Sequence, residues 1–220
     1  KRIVGETVEV GAAIYADGHE DLAVELRWRA TDGEAWSSMR MTELGNDLWR
    51  GRFPLERMGR HQFVIEAWID RYGSYHHGLE KKIEAGVAQA VDLDEGRQLI
   101  AEAAKGDGAG RLARIAEELS TLDPDAAGQL LLDPETSRLM DQAQDRAFAC
   151  RSEAYCIDAE RREALFASWY ELFPRSQTDD PARHGTFDDV IARLPAIRAM
   201  GFDVLYFPPI HPIGQRHRKG

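Results

Sequence analysis

The spacing of apolar residues changes along the chain, and this change constrains the fold more than any other feature. Near the start, apolar residues recur at every second position from Val8 to Ile14 and from Leu22 to Trp28. A period of two residues indicates strands with one buried face and one solvent-exposed face, which is typical of antiparallel sheets. Further short strands are predicted at Trp36 to Met41, Leu48 to Phe53, Gln62 to Asp70 and Gly78 to Ile83. Turns are predicted between them at Asp17–Gly18, Asp32–Gly33, Gly45–Asp47 and Tyr72–Gly73.

About seven short strands at this spacing predict an all-β sandwich of the immunoglobulin or fibronectin type. The chain lacks the Cys–Trp–Cys core of antibody domains, which favours the fibronectin type. We therefore predict a β-sandwich domain over residues 1–90.

From about Val91 apolar residues recur at helical spacing, which predicts a small bundle of short helices. Two Asp-Pro steps, Asp123–Pro124 and Asp133–Pro134, predict an N-cap followed by proline at the first helical position. The segment from Gly106 to Gly110 predicts a flexible break between helices. Phe148 to Asp158 is compatible with a strand that returns to the sandwich, so the helices would be an insertion. We predict a helical insert over 91–147 and a return strand or linker over 148–162.

The last part of the chain, residues 163–220, predicts a βαβ unit. An apolar run from Phe166 to Phe173 is followed by a helix that Thr186 caps, with Asp189 at the capping-box position. Gly201 sits at the expected C′ position, and a buried strand is predicted from Phe202 to Phe207. The predicted apolar face of the helix consists of Val190, Ile191, Leu194, Ile197 and Met200. Two parallel strands cannot bury both of their faces, so we expect the chain to be part of a longer protein.

Charge and cysteine content exclude several classes of function. The chain has 28 Lys and Arg against 38 Asp and Glu, a net charge of -10, which argues against general nucleic-acid binding. No run approaches the roughly 18 apolar residues of a membrane helix, and we expect no signal peptide. Two cysteines, Cys150 and Cys156, are too few for a disulfide framework and fit a reducing cytosol. We expect a cytoplasmic protein that binds neither nucleic acid nor membrane.

The segment from Phe187 to Ile210 resembles the first helix and second strand of the (β/α)8 TIM barrel of the α-amylase clan, and Trp169 to Arg175 resembles its first strand. Three separated motifs resemble, more narrowly, the bacterial α-1,4-glucan:maltose-1-phosphate maltosyltransferase family. They are Gly45 to Gly51, Glu66 to Arg71 with Gly78 to Lys82, and Ile210 to Gly214 with Arg218 to Gly220. The resemblance implies a sandwich with a helical insert ahead of a truncated barrel, and a homodimer formed through the sandwich and the insert.

The resemblance also implies a reaction for the parent protein. Maltosyl units would pass from maltose 1-phosphate to the non-reducing end of an α-1,4-glucan, with retention, by double displacement on a carboxylate nucleophile. No cofactor and no metal are implied. The family's catalytic carboxylates follow the fourth, fifth and seventh barrel strands, so this chain is expected to contain no catalytic residue and to be inactive.

One substrate-binding residue is expected within the chain. In the family, the lysine of the Arg-Lys-Gly step contacts the maltose 1-phosphate donor, which implies that role for Lys219. Loops at the carboxyl ends of barrel strands build the active site, and an ammonium group suits a phosphate. Arg216 and Arg218 lie close by in sequence, and a solvated basic loop is the alternative interpretation.

Other functions stay open at this point. The chain could be a non-catalytic module for dimerisation or glucan binding, or part of an amylase-clan hydrolase or branching enzyme. Sugar could stack on exposed tryptophans, with Trp49 or Trp68 as the candidates.

Several residues that could suggest chemistry are expected to be structural. They are His76 and His77 on a polar edge strand, the two cysteines as small core residues or free thiols, and Glu171 and Asp203 in the barrel-like strands. His211 is expected to shape the pocket only.

Overall fold

The computed structural model describes residues 2–106, 110–146, 148–211 and 214–217. It divides into two compact units, which we call the sandwich unit (residues 7–54 and 60–157) and the βαβ unit (residues 1–6, 55–59 and 158–220). The described residues form six α-helices and several β-sheets, a mixed α/β structure, and their strands do not close into a barrel.

The strands, in chain order, are β1 (Arg2–Ile3), β2 (Thr7–Ala13), β3 (Leu22–Ala30), β4 (Ser37–Arg40), β5 (Thr42–Gly45), β6 (Leu48–Pro54), β7 (Gly59–Ile69), β8 (Cys150–Arg151), β9 (Tyr155–Glu160), β10 (Trp169–Glu171) and β11 (Val204–Tyr206). The helices are α1 (Arg71–Glu84), α2 (Ala90–Ala103), α3 (Gly110–Leu119), α4 (Pro124–Leu131), α5 (Pro134–Gln142) and α6 (Phe187–Ala199).

Two antiparallel arrangements make up the β part of the sandwich unit. One sheet has the order β2-β6-β5, and in the other β9, β7, β3 and β4 are neighbours, with β8 also on β7. The predicted alternation is confirmed in β6, where Trp49, Gly51 and Phe53 are buried between exposed residues. The sheets pack closely, because Phe53 stacks on Trp28 of β3 at 5.5 Å between ring centroids. A Cβ atom at Gly51 would lie 2.9 Å from a methyl carbon of Leu26, so only glycine fits there.

The predicted strand from Gly78 to Ile83 and the predicted turn at Tyr72–Gly73 are wrong, because both lie in α1. Asp70 caps this helix: its Oδ1 accepts from the Gly73 amide at 2.8 Å. Tyr72, Tyr75 and Leu79 recur at helical spacing and are all buried. Helical structure therefore begins at Arg71, well before the predicted start near Val91.

Helices α1 to α5 enclose a second apolar core in the sandwich unit. Its buried residues are Tyr72, Tyr75, Leu79, Leu93, Ile100, Leu112, Ile115, Leu119, Ala127, Leu131 and Met140. Both predicted Asp-Pro helix starts are confirmed, since Asp123 accepts from the Ala126 amide and Asp133 from the Glu135 amide, each at 2.9 Å. Residues 107–109 of the predicted break lie outside the described residues.

The helices form an insertion in a sheet, because β8 and β9 return to the sheet that β7 belongs to. The segment predicted as a return strand or linker thus contains β8 and β9, which both belong to this sheet. A polar network joins the two ends of the insertion: Trp68 Nε1 donates to Gln144 Oε1, and Gln144 Nε2 donates to Asp70 Oδ1 at 2.8 Å. Guanidinium groups of Arg40 and Arg146 lie 4.5 and 4.3 Å from the centre of the Trp68 ring.

In the βαβ unit, β10 and β11 pair in parallel and α6 connects them, as predicted. The capping box of Thr186 and Asp189 is confirmed, and Gly201 has a φ of 90°, in the left-handed region. Only part of the predicted apolar face is buried: Val190 and Ile197 pack on Leu172. Ile191, Leu194 and Met200 are exposed. β1 pairs with β9 in parallel, with Arg2 opposite Ala159.

Candidate functional site

The parallel pairing of β10 and β11 brings the carboxyl ends of both strands to one edge. Trp169 pairs with Val204 and Glu171 with Tyr206, and the Leu172 amide donates to the Tyr206 carbonyl at 3.2 Å. The segments that leave this edge are residues 173–186 after β10 and the chain from residue 207 onward after β11. In parallel α/β folds, ligands bind at this edge of the sheet.

The loop after β10 is fixed by its own backbone. A short 3₁₀ turn spans Pro174–Ser176, and the Gly185 amide donates to the Arg175 carbonyl at 2.8 Å. Gly185 is packed so closely on this turn that a Cβ would lie 2.3 Å from the Pro174 carbonyl oxygen. His184 lies beside it, with Nδ1 2.9 Å from the Gly185 carbonyl oxygen. The position at 185 therefore requires glycine.

Asp189 is the polar centre of the same loop. Arg183 donates to both of its carboxylate oxygens, at 2.7 and 2.8 Å, in a bidentate pair. The Thr186 amide donates to Oδ2 at 2.7 Å, which completes the helix cap. The Arg183 guanidinium, followed by the Thr186 donors, holds the pKa of Asp189 far below its usual range. The carboxylate consequently stays ionised and keeps the loop closed on the start of α6. The predicted capping box identified this aspartate, but not its arginine partner.

Phe187, at the start of α6, contacts Phe207 after β11 with ring centroids 5.9 Å apart. The two segments therefore meet at the carboxyl edge. Arg216 and His211 are exposed. The predicted substrate-binding residue Lys219 and its neighbour Arg218 lie outside the described residues, so their prediction stays untested.

The two carboxylates of the barrel-like strands are not brought together as a pair. Asp203 Oδ2 accepts from the Ser168 amide at 3.0 Å, and its Oδ1 lies 3.7 Å from Arg198, consistent with the predicted structural role. Glu171 is exposed on β10.

His76 and His77 lie on helix α1, not on the predicted edge strand. Within the described residues no group of three or more His, Cys, Asp or Glu side chains could hold a metal ion. Cys150 and Cys156 are exposed free thiols, so the interpretation as core residues is wrong. Trp49 and Trp68 are both buried, so neither offers a sugar-stacking surface.

Among the described residues, the sandwich unit has clefts at three places. The first, of about 700 Å³, is lined mainly by apolar residues of β2 and β7 with Tyr15, Phe148 and Tyr155. A second, of about 420 Å³, lies beside Tyr75 and the Lys82–Asp92 ion pair. A third, of about 360 Å³, lies between Ile83, Leu93 and Leu132 of the helices. Hydrogen bonding between Lys82 and Asp92 raises the pKa of the lysine and lowers that of the aspartate.

No helix among the described residues is both long enough and apolar enough to cross a bilayer. The described residues thus define a mixed α/β protein, with antiparallel sheets in one unit and a parallel βαβ connection in the other.

Comparison with known sequences gives the family. Residues 1–161 match the family model described as alpha-1,4-glucan:maltose-1-phosphate maltosyltransferase, domain N/S, and the chain belongs to this family. The protein of that name from Burkholderia pseudomallei is 48% identical over 227 residues, covering 100% of this chain and 20% of its own length. The one from Pseudomonas aeruginosa is 45% identical, covering 97% and 33% respectively. The one from Methylacidiphilum infernorum is 40% identical, covering 100% and 33%. The chain thus spans about a fifth to a third of the length of these relatives.

Proposed function

We propose that this chain is the domain N/S region, with the opening of the catalytic (β/α)8 barrel, of an enzyme that transfers maltosyl units from maltose 1-phosphate to α-1,4-glucans. The observation that carries the proposal is the family match over residues 1–161, continued by relatives of that name over the remaining residues. The parallel β10-α6-β11 unit supports the assignment of residues 163–220 to the barrel. Residues 1–90, 91–147 and 148–162 would be the fibronectin-like sandwich domain, the helical insert and the return strand or linker.

In this proposal the reaction is a retaining double displacement, and its carboxylates lie outside the 220 residues. The chain alone is then inactive. Its contribution to the site would be the carboxyl edge of β10 and β11, with Lys219 as a phosphate-binding residue of the donor site. The fixed loop around Gly185 and Asp189 would form one wall of that site.

The full-length parent tests this proposal. Phosphate release from maltose 1-phosphate is measured with a maltooligosaccharide acceptor, and products are sized for extension by two glucose units. Lys219→Ala is expected to raise the KM for maltose 1-phosphate about tenfold or more, since a hydrogen bond to a charged group contributes about 1.5–3 kcal/mol. Lys81→Ala, on an exposed position of α1, is the matched control and should leave the KM unchanged.

Three results would contradict parts of the proposal. Release of reducing sugar from starch without phosphate release would make the parent a hydrolase. An unchanged KM in Lys219→Ala would remove that residue from the donor site. Phosphate release by the 220-residue chain alone would show that a catalytic group lies within it.

Homodimer formation through the sandwich and the helical insert is a second part of the proposal. Exposed aromatic side chains favour it: Tyr15 and Phe148 are 75% and 86% exposed beside the 700 Å³ cleft. Sedimentation of the 220-residue chain tests it, with Phe148→Ser as the variant expected to shift the chain toward monomer. A monomeric wild-type chain at high concentration would contradict this role.

A cytoplasmic location is also proposed, because both cysteines are exposed free thiols, a state that persists in reducing compartments.

A further inference from the structure

Four side chains gather on the outer face of the sheet that contains β3, β7 and β8, and we call them the Arg–Trp face: Arg27, Arg29, Trp36 and Arg151. The guanidinium carbons of the three arginines lie 5.6, 4.7 and 5.5 Å from the centre of the half-buried Trp36 ring, in the order named. A cation within about 6 Å of an indole is attracted by its ring electrons. All three arginines therefore converge on one aromatic side chain.

Strand register explains why these residues share a face. Arg27 and Arg29 alternate along β3 with Leu26, which is fully buried in the core, so they point away from it. Arg151 of β8 pairs with Glu66 of β7, and Glu66 pairs with Glu25, two residues before Arg27 on β3. Trp36 directly precedes the edge strand β4.

The Arg–Trp face has more positive charge than its neighbours neutralise. The Arg29 guanidinium donates hydrogen bonds to neutral groups only. These are the Gly33 and Glu34 carbonyls and, with the Gln62 side-chain amide in the orientation that satisfies both of its ends, the Gln62 side-chain oxygen. Arg27 lies 3.6 Å from Glu66, whereas Arg146 lies closer to Glu66 and also pairs with Glu25 at 2.7 Å, so Glu66 neutralises Arg27 only in part.

Arg151 contacts Trp36 and has no carboxylate within 4.0 Å among the described residues. The chain as a whole is strongly acidic, but at this face three guanidinium groups of like charge lie close together and repel each other. The face therefore has guanidinium donors left for an external anion.

Planar guanidinium groups stacked on an indole bind carboxylates or phosphates bidentately with little further ordering. The face is a sheet surface, and Arg27, Arg29 and Trp36 do not line the clefts described above. A surface of this kind favours an extended partner over a small molecule enclosed in a pocket. A net charge of -10 repels long polyanions such as nucleic acids, whereas a short segment with a few carboxylates is repelled much less.

We propose that the Arg–Trp face is a docking surface for a short acidic segment of a partner protein, with its carboxylates on Arg27 and Arg151. β3 and β8 both flank β7, so the two arginines start roughly 10 Å apart, about two strand spacings. Acidic residues three positions apart in an extended segment cover this distance, since each residue spans about 3.3 Å.

Fluorescence anisotropy with a labelled peptide that has glutamate at every third position and serine between, titrated with the 220-residue chain, tests the proposal. The wild type should bind saturably, and binding should weaken as NaCl is raised. Arg151→Glu should weaken binding at least about tenfold, because it reverses a charge that faces the ligand. Arg114→Glu, on an exposed position of α3, makes the same charge change elsewhere and should have little effect. Trp36→Phe, which keeps an aromatic ring but weakens the stacking, should weaken binding less than Arg151→Glu.

Thermal melting of each variant separates loss of binding from loss of folding. The proposal is overturned if the wild type does not bind the peptide, or if Arg151→Glu and Arg114→Glu weaken binding equally. It is also overturned if a short single-stranded oligonucleotide or inorganic phosphate displaces the peptide at concentrations below that of the peptide itself.

Discussion

The two units of the chain bury their apolar residues to very different degrees. In the sandwich unit, Phe53, Leu26, Ile100 and Leu131 have no exposed surface, and both of its cores are enclosed by sheets or helices. In the βαβ unit, the cluster around β10, α6 and β11 has only three buried residues among those described, Leu172, Val190 and Ile197. Large apolar side chains remain exposed there, among them Phe166, Trp169, Phe173, Phe187, Ile191 and Met200. A parallel sheet of two strands has too few neighbours to cover both of its faces.

This difference shows that the two units hold their shape by different interactions. The sandwich unit depends on apolar burial, which contributes about 25 cal/mol for each Å² removed from water. The loop of the βαβ unit depends on polar contacts, with Asp189 accepting from Arg183 and Thr186 and with Gly185 packed on backbone. Substitutions should therefore affect the two units unequally.

The largest effect is expected from Phe53→Ala. Phe53 is fully buried and stacks on Trp28, so its removal leaves a cavity and should cost about 3–5 kcal/mol of unfolding free energy. Phe187→Ala is the matched change in the βαβ unit, where the ring is 52% exposed, and should cost less than about 1 kcal/mol. Urea titrations of both variants measure the difference. Equal losses would show that the βαβ unit is as tightly packed as the sandwich unit.

A smaller effect is expected from Gly96→Ala in α2. The added Cβ would lie 2.1 Å from the Tyr75 hydroxyl oxygen and 2.8 Å from a Leu131 methyl carbon. Overpacking of this kind should reduce the unfolding free energy by about 1–3 kcal/mol. Gly78→Ala in α1 is the control, because a Cβ there meets nothing within 4 Å. That change should stabilise the helix by about 0.5–1 kcal/mol, so the two alanines are expected to shift the melting temperature in opposite directions.

The smallest effect is expected when the Asp189 carboxylate is protonated at low pH. Because its pKa is lowered in the folded chain, its stabilising contribution is complete above the pKa of an unfolded aspartate, about 3.9. The contribution is lost as the pH falls from there toward the lower folded-state pKa. Hydrogen exchange at the Thr186 and Gly185 amides between pH 2 and 6 should report this loss in the wild type.

Asp189→Asn should remove the acid-dependent change at these amides, and Asp179→Asn in the same loop should leave it in place. If these amides show the same acid-dependent exchange in Asp189→Asn as in the wild type, a group other than Asp189 causes the change.

Much of the fold could be predicted because the informative contacts are close in sequence. The strands from Val8 to Ile69 follow from alternation, and the caps at Asp123, Asp133 and Thr186 follow from contacts two or three residues away. The prediction failed at α1, where a turn was predicted at Tyr72–Gly73 and a strand from Gly78 to Ile83. The helical spacing of Tyr72, Tyr75 and Leu79 behind the Asp70 cap was present but was outweighed by the preceding strand pattern.

The candidate site could be predicted only in part, for a similar reason. Thr186 and Asp189 were recognisable as a capping box, whereas Arg183 pairs with Asp189 through a loop whose path the local pattern does not encode. The burial of Trp49 and Trp68 also depends on distant partners: Trp49 donates to the Ile14 carbonyl at 3.2 Å, and Trp68 donates to Gln144.

The sequence by itself determined the strands between Val8 and Ile69, the helix caps at Asp123, Asp133 and Thr186, the parallel βαβ connection and the resemblance to the maltosyltransferase family. These depend on short-range patterns and motifs that need no knowledge of the folded chain. Only the tertiary structure decided which apolar faces are enclosed, that glycine is needed at Gly96 and Gly185, and that three arginines meet on Trp36. Those features arise from contacts between residues far apart in the chain, which exist only once the strands and helices have packed.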